Sequence, residues 1–166
     1  MYEVGEYIVH PGQGVCRVEE VVEKPQASYM LMPVAGRHPM RISYPVAGED
    51  RLRPIVTRDE AYELIGDYSR LQPARFETKS CALEEQHFKN KIRRGSCRDS
   101  VRIAKTFLQR IEEIRARNKK PPVVYERILR QARDRSLDEL SVALGISQDE
   151  VRELFESQMP KEGQVE

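Results

Sequence analysis

Val4-Gly5-Glu6-Tyr7-Ile8-Val9-His10-Pro11-Gly12-Gln13-Gly14-Val15-Cys16-Arg17-Val18 holds two short β-branched runs around a Pro-Gly-x-Gly break. Tyr7-Ile8-Val9 and Val15-Cys16-Arg17-Val18 have strand composition, and the residues between them are turn formers. Pro11 fixes φ and lacks a backbone donor, whereas Gly12 and Gly14 can supply positive φ. A hairpin this early opens a small β-domain. The second run extends to Val22, and three further runs carry the pattern on: Tyr29–Val34, Met40–Tyr44 and Arg51–Ile55, separated by Pro- and Gly-containing breaks. Five short strands in about 55 residues fit a small antiparallel barrel or a curled sheet.

The remainder reads as helix. Thr57 can cap a short helix that Gly66 stops, and Ala61, Leu64 and Ile65 would face the barrel. Tyr68 to Ser80, with Pro73, has the composition of a linker. Ala82–Arg94 carries Leu83, Phe88 and Ile92 as its apolar positions. A longer helix from Asp99 or Ser100 shows Val101, Ala104, Leu108, Ile111 and Ile114 as one stripe. Pro122 opens a third helix that runs to Gly145, and Ser147 caps a fourth. The expected class is therefore α+β with two domains. Residues 1–67 form a five-stranded antiparallel unit with a short helix and 68–81 a linker. Residues 82–158 form an all-α bundle of about four helices, and 159–166 a polar tail.

Charge separates the chain further. The net charge is +1 over 166 residues, yet residues 71–135 hold 18 Lys/Arg against 8 Asp/Glu, between acidic flanks. Lys89, Lys91, Arg93, Arg94, Arg98, Arg102 and Lys105 fall close together. Lys89 and Arg93 share a helix face, as do Arg98, Arg102 and Lys105. Such a surface suits a phosphate backbone, which is bound without base reading and with weak sequence specificity. A solvated face is the plainer reading of any charge run.

Other chemistry fares worse. Gly12-Gln13-Gly14 lacks the third glycine, the Gly-Lys-Ser/Thr ending and the following helix of a phosphate loop. His10, His38 and His87 lie apart with no nucleophile motif beside them, so no enzyme is expected. Cys81, His87 and Cys97 match no common zinc spacing and lack a fourth ligand, so neither metal nor cofactor is expected. The three cysteines are expected as free thiols. Leu137–Val151 has the look of a helix-turn-helix, but Asp149, Glu150, Glu153 and Glu156 on its second helix would repel phosphate. No apolar run is long enough to span a membrane and no signal-peptide layout is present, so a cytoplasmic protein is expected.

The order of parts resembles the CarD-like bacterial transcription regulators, whose first domain is shared with transcription-repair coupling factors. Val4–Val15, Arg41-Ile42-Ser43-Tyr44-Pro45-Val46, Leu52-Arg53-Pro54-Ile55, Phe88-Lys89 and Glu139–Ser147 carry the resemblance. It implies a Tudor-like N-terminal barrel that docks on the RNA polymerase β subunit by strand addition. Arg41 would be the main contact, with Ile42, Ser43, Tyr44 and Arg53 beside it. It implies a helical domain meeting promoter DNA near the upstream edge of the −10 region. Lys89 matches a basic DNA-facing position, and Arg93, Arg94, Arg98, Arg102 and Lys105 extend the surface. One departure stands out: the family's wedge-forming Trp falls at Glu84, and two neighbouring arginines fall at Gln86 and His87. A carboxylate cannot wedge a base step, so Trp placed at Glu84 is expected to lengthen the lifetime of the promoter complex. Leu83 and Phe88 are the apolar residues at hand, Phe88 reading as core. A transcription regulator modulating open-complex stability is thus expected; the alternative is an adaptor whose basic surface meets an acidic protein.

Overall fold

A computed structural model describes residues 1–158; the expected polar tail lies outside them. The chain forms two compact units, Met1–Ile55 and Val56–Glu166.

The first unit is a five-stranded antiparallel sheet of order β4-β3-β2-β1-β5. The strands are β1 (Tyr7–His10), β2 (Gly14–Val22), β3 (Ser28–Pro33), β4 (Ile42–Pro45) and β5 (Arg53–Pro54). A 3₁₀ turn over Val46–Arg51 joins the last two. The quoted stretch is the β1–β2 hairpin, with Ile8 opposite Cys16 and Val9 opposite Val15. Gly14 takes a φ of 78° where β2 begins, a conformation that favours glycine. His10 Nδ1 accepts the amides of Gly12 and Gln13, each at 3.0 Å. The turn's donors are thus engaged within the hairpin, so they are not the open amide cradle of a phosphate loop.

β3 alternates as a half-buried strand should: Tyr29, Leu31 and Pro33 face inward and Ser28, Met30 and Met32 lie nearer solvent. Ile8, Cys16, Val18, Tyr29, Leu31 and Leu52 make the core. β2 carries an extra residue, Glu19, between the Val18–Leu31 and Glu20–Met30 pairs. Such a bulge bends a strand and increases its twist. Two tyrosines fasten the 3₁₀ turn. Tyr29 donates its hydroxyl to the Glu49 carboxylate, and Tyr44 donates to the Gly48 carbonyl at 2.9 Å.

The second unit is helical: α1 (Arg58–Asp67), α2 (Cys81–Arg94), α3 (Cys97–Ala116), α4 (Val123–Leu144) and α5 (Gln148–Glu156). Its helix ends follow capping chemistry. Thr57, Ser80, Ser96 and Ser147 each accept an amide from the first turn, and Ser96 with Asp99 forms a reciprocal box. Gly145 closes α4 in the left-handed conformation, φ 66°.

Two expectations are corrected here. The apolar face of α1 is covered within this unit: Ala61, Leu64 and Ile65 share a core with Leu137, Leu140, Leu144 and Val151. The boundary therefore falls at Ile55/Val56 rather than at the expected residue 67, and Glu139 Oε2 accepts the Val56 amide there at 2.9 Å. Residues 68–80 are not a free linker. Leu71 is buried in that same core, Ala74 donates its amide to Thr106 Oγ1 at 2.9 Å, and Phe76 packs beside Phe88, Phe107 and Ile128. An apolar residue at every few positions is enough to hold an extended segment down.

Candidate functional site

Two surfaces answer to the residues singled out by sequence. The first is the β4 edge of the sheet. Among the described residues β4 is paired with β3 alone, so one side of its backbone faces outward from the sheet. Ile42 and Tyr44 turn toward the core while Ser43 and Pro45 are exposed. Arg41 precedes the strand, exposed, and donates to Glu19 through Nη2 at 2.8 Å and Nε at 3.2 Å; Glu20 lies at 3.8 Å. The hydrogen bond to Glu19 holds the guanidinium above its ordinary range. Glu19 is the extra residue of the β2 bulge. Arg53 is not brought to this edge: it lies on β5, at the other end of the sheet, and donates to the Pro54 carbonyl at 3.3 Å.

The second surface belongs to the helices. Lys89 lies 3.5 Å from Glu85, which also takes Arg127 of α4 at 2.6 Å. Arg127, with Lys89 behind it, holds the Glu85 carboxyl below the usual range. Arg93 and Arg94 are exposed in the last turn of α2, and Arg135 of α4 donates to the Arg93 carbonyl at 3.2 Å. At the α2–α4 seam Lys89 and Arg127 therefore meet on Glu85, and Arg135, half-buried with its Nε out of solvent, meets the backbone of Arg93, with Arg94 exposed in the same turn of α2. Arg127 and Arg135 were not singled out by sequence, although Arg127, Arg130 and Arg133 recur every third residue.

Three candidates depart from that seam. Lys105 is buried, 8% exposed, and its ammonium donates to the Tyr68 carbonyl at 2.6 Å and the Leu71 carbonyl at 3.3 Å. It lies 5.1 Å from the Tyr68 ring centroid, and burial lowers its pKa. It is a fastener for residues 68–71, not a surface cation. Arg98 is half-buried and paired with Asp67 at 3.1 Å, and Arg70 takes the other oxygen of that carboxylate at 2.6 Å. Arg102 is half-buried with its Nε out of solvent. The reason is α3 itself, which is buried on several sides at once, so the face opposite its apolar stripe is not all solvent.

The substituted wedge position also has a place. Glu84 pairs with Arg110 of α3 at 3.2 Å, its side chain only 15% exposed, and Arg110 lies 4.7 Å from the Phe107 ring centroid. A Trp there would first break an internal ion pair. Leu83 is exposed, Phe88 is core, and His87 stacks on Phe76 with centroids 4.0 Å apart.

The helix-turn-helix look is real as a turn: α4, Gly145 and α5. Its exposed face shows Asp149, Glu150, Glu153 and Glu156 beside Arg152. Its buried face, through Val151, joins the core that α1 also enters. Cys16 and Cys97 are buried and Cys81 is exposed, each as a thiol. Among the described residues no group of three His, Cys, Asp or Glu is placed to hold a metal ion, and no helix is long and apolar enough to cross a membrane.

A search of curated proteins finds no match to the chain. A family model does match, over residues 2–56, the span of the β-unit. The β1–β2 hairpin, the β4 edge with Arg41 and β5 all fall within that match, which is to the CarD-like/TRCF RID domain.

Proposed function

We propose that the chain is a non-enzymatic regulator of transcription that docks on the RNA polymerase β subunit through its first unit and carries the helical unit to promoter DNA. The match of residues 2–56 to the CarD-like/TRCF RID domain supports a transcription-related, polymerase-β-interacting protein. The observation that carries the reading is the RID match over residues 2–56 together with an open β4 edge flanked by Arg41. An unpaired strand edge offers a row of backbone donors and acceptors to a partner strand, and a neighbouring guanidinium selects its charge. Arg41 arrives already paired with Glu19 and Glu20, so a partner carboxylate must compete with them.

The helical unit supports DNA contact through the α2–α4 seam rather than through α5, whose exposed carboxylates oppose phosphate. Lys89, Arg93, Arg94 and Arg127, offset in part by Glu85, would release counterions on a duplex. The logarithm of affinity should then fall against the logarithm of salt concentration with a slope of about −3. Docking on polymerase would supply tethered concentration, so contacts this few suffice. Modulation of open-complex stability follows if those contacts favour one promoter state.

The test adds the full chain to polymerase–promoter complexes, follows their decay after a heparin challenge, and measures duplex binding across a salt series. A changed lifetime and a salt-steep duplex affinity are expected. An unchanged lifetime would overturn open-complex modulation. A flat or absent response to duplex would overturn the DNA contact in favour of an adaptor that binds an acidic protein.

A further inference from the structure

α3 carries two apolar faces where one was expected. Ile103, Phe107 and Ile111 are buried, the first two against Phe88 and Ile128. Val101, Ala104 and Leu108 instead line a cleft of about 330 Å³ together with Leu129 of α4 and Phe155 of α5. Tyr68 lies beside it, its ring edge-on to Phe155 with centroids 4.9 Å apart. Leu108 remains 39% exposed, a large apolar side chain at the edge of an open hollow. The polar lining is not neutral: Arg133 and Arg152 border the cleft with Glu156 and Ser136. Each guanidinium pairs with a carboxylate of its own helix, Asp134 and Asp149, at 3.7 Å in both cases. Such long, exposed pairs contribute little and give way to a better acceptor.

We infer that this cleft binds a small amphipathic anion, a single aromatic ring or short branched chain ending in a carboxylate. The volume lies at the small end of ligand pockets, three helices line it, and an apolar wall with a few convergent polar groups is their usual make-up. Arg133 and Arg152 can leave their long pairs with Asp134 and Asp149 for a ligand carboxylate held closer, which selects an anionic end over a neutral one. The site stands apart from the α2–α4 seam, and it holds whether or not the chain meets promoter DNA.

The probe is 4-phenylbutyrate, titrated into the full chain with ¹³C-labelled leucine methyls and compared with neutral 4-phenylbutan-1-ol. Saturable shifts at Leu108 and Leu129 are expected, with the acid binding about tenfold more tightly than the alcohol, the worth of one charge-assisted contact. The double variant Arg133→Gln/Arg152→Gln changes only exposed side chains, and it should bring the acid down to the alcohol's affinity. Absence of saturable shifts at the solubility limit would overturn the inference and leave the cleft as a seat for a partner protein's apolar side chain. Shifts confined to other leucines, or an acid affinity unchanged in the double variant, would overturn it equally.

Discussion

Replacing Lys105 with alanine removes the fastener between α3 and the segment that leaves α1. The wild-type ammonium donates to two carbonyls, Tyr68 at 2.6 Å and Leu71 at 3.3 Å, and its stem is buried. A hydrogen bond to a charged group contributes about 1.5–3 kcal/mol, and the 3.3 Å contact belongs at or below the bottom of that range. Against this stands the cost of keeping a charge out of water, the same burial that lowers the Lys105 pKa. Alanine also leaves the space of a four-carbon stem. The net expectation is a loss of about 2–3 kcal/mol. Methionine, which keeps most of the stem, should lose about 1–2 kcal/mol. Urea unfolding at neutral pH reads this directly, as a midpoint lowered by about 1 M for alanine at slopes of about 2 kcal/mol/M. The same variants bear on binding. A buried lysine that touches no phosphate should leave the salt slope of duplex affinity unchanged. A loss below about 0.5 kcal/mol, the scale of an ordinary surface change, would refute the fastener. A salt slope shallower by about 1 would show Lys105 reaching DNA after all.

Other perturbations give equally definite outcomes. Asp67 is held below the usual carboxylate range, first by Arg98 and then by Arg70, as Glu85 is by Arg127 and Lys89. A lowered folded-state pKa contributes stability that is present above the ordinary value of about 4 and lost as pH falls through the folded one. Asp67→Asn/Glu85→Gln should therefore flatten the acid limb of stability below about pH 4, and an unaltered limb would show that these pairs do not matter. Gly95→Ala should destabilise the α2–α3 corner by about 1–3 kcal/mol. A Cβ there would lie 2.4 Å from the Lys91 carbonyl oxygen and 2.7 Å from Asp99 Oδ2; a thermal midpoint equal to wild type would contradict this. Arg93→Ala/Arg94→Ala should weaken duplex binding alike for unrelated sequences and make the salt slope shallower by about 2, read by fluorescence anisotropy.

The sheet was largely legible because short apolar and β-branched runs were bounded by turns that carry Pro and Gly. Which side of a run is buried was less plain: Tyr29–Val34 reads as a continuous apolar run, and only the structure separates the buried Tyr29, Leu31 and Pro33 from Met30 and Met32. α1 shows the limit of that legibility. Its stripe of Ala61, Leu64 and Ile65 was plain, but a stripe says which side is buried and not what covers it. The cover is Leu137 and Leu140, more than 70 residues along the chain. The burial of Lys105 was hidden for a related reason. One apolar stripe on α3 implied a solvated opposite face, whereas residues 71–76 and the neighbouring helices surround that helix. Carbonyls at 68 and 71 leave no mark in a sequence, so a lysine that satisfies them looks like any other surface charge. The basic seam was half visible: the cluster on α2 stood out, but its alignment with Arg127 and Arg135 depends on how α2 and α4 pack.

The central claim is that the first unit docks on the polymerase β subunit through the edge beside Arg41. Its most direct test is the affinity of the full chain for isolated, immobilised β subunit, measured alongside Arg41→Glu and Arg93→Ala/Arg94→Ala. The account predicts saturable binding that Arg41→Glu weakens about tenfold, the scale of replacing one charge-assisted hydrogen bond by a repulsion, while the α2 double variant binds as wild type does. Absence of binding by the unaltered chain, or an affinity indifferent to Arg41, would contradict it.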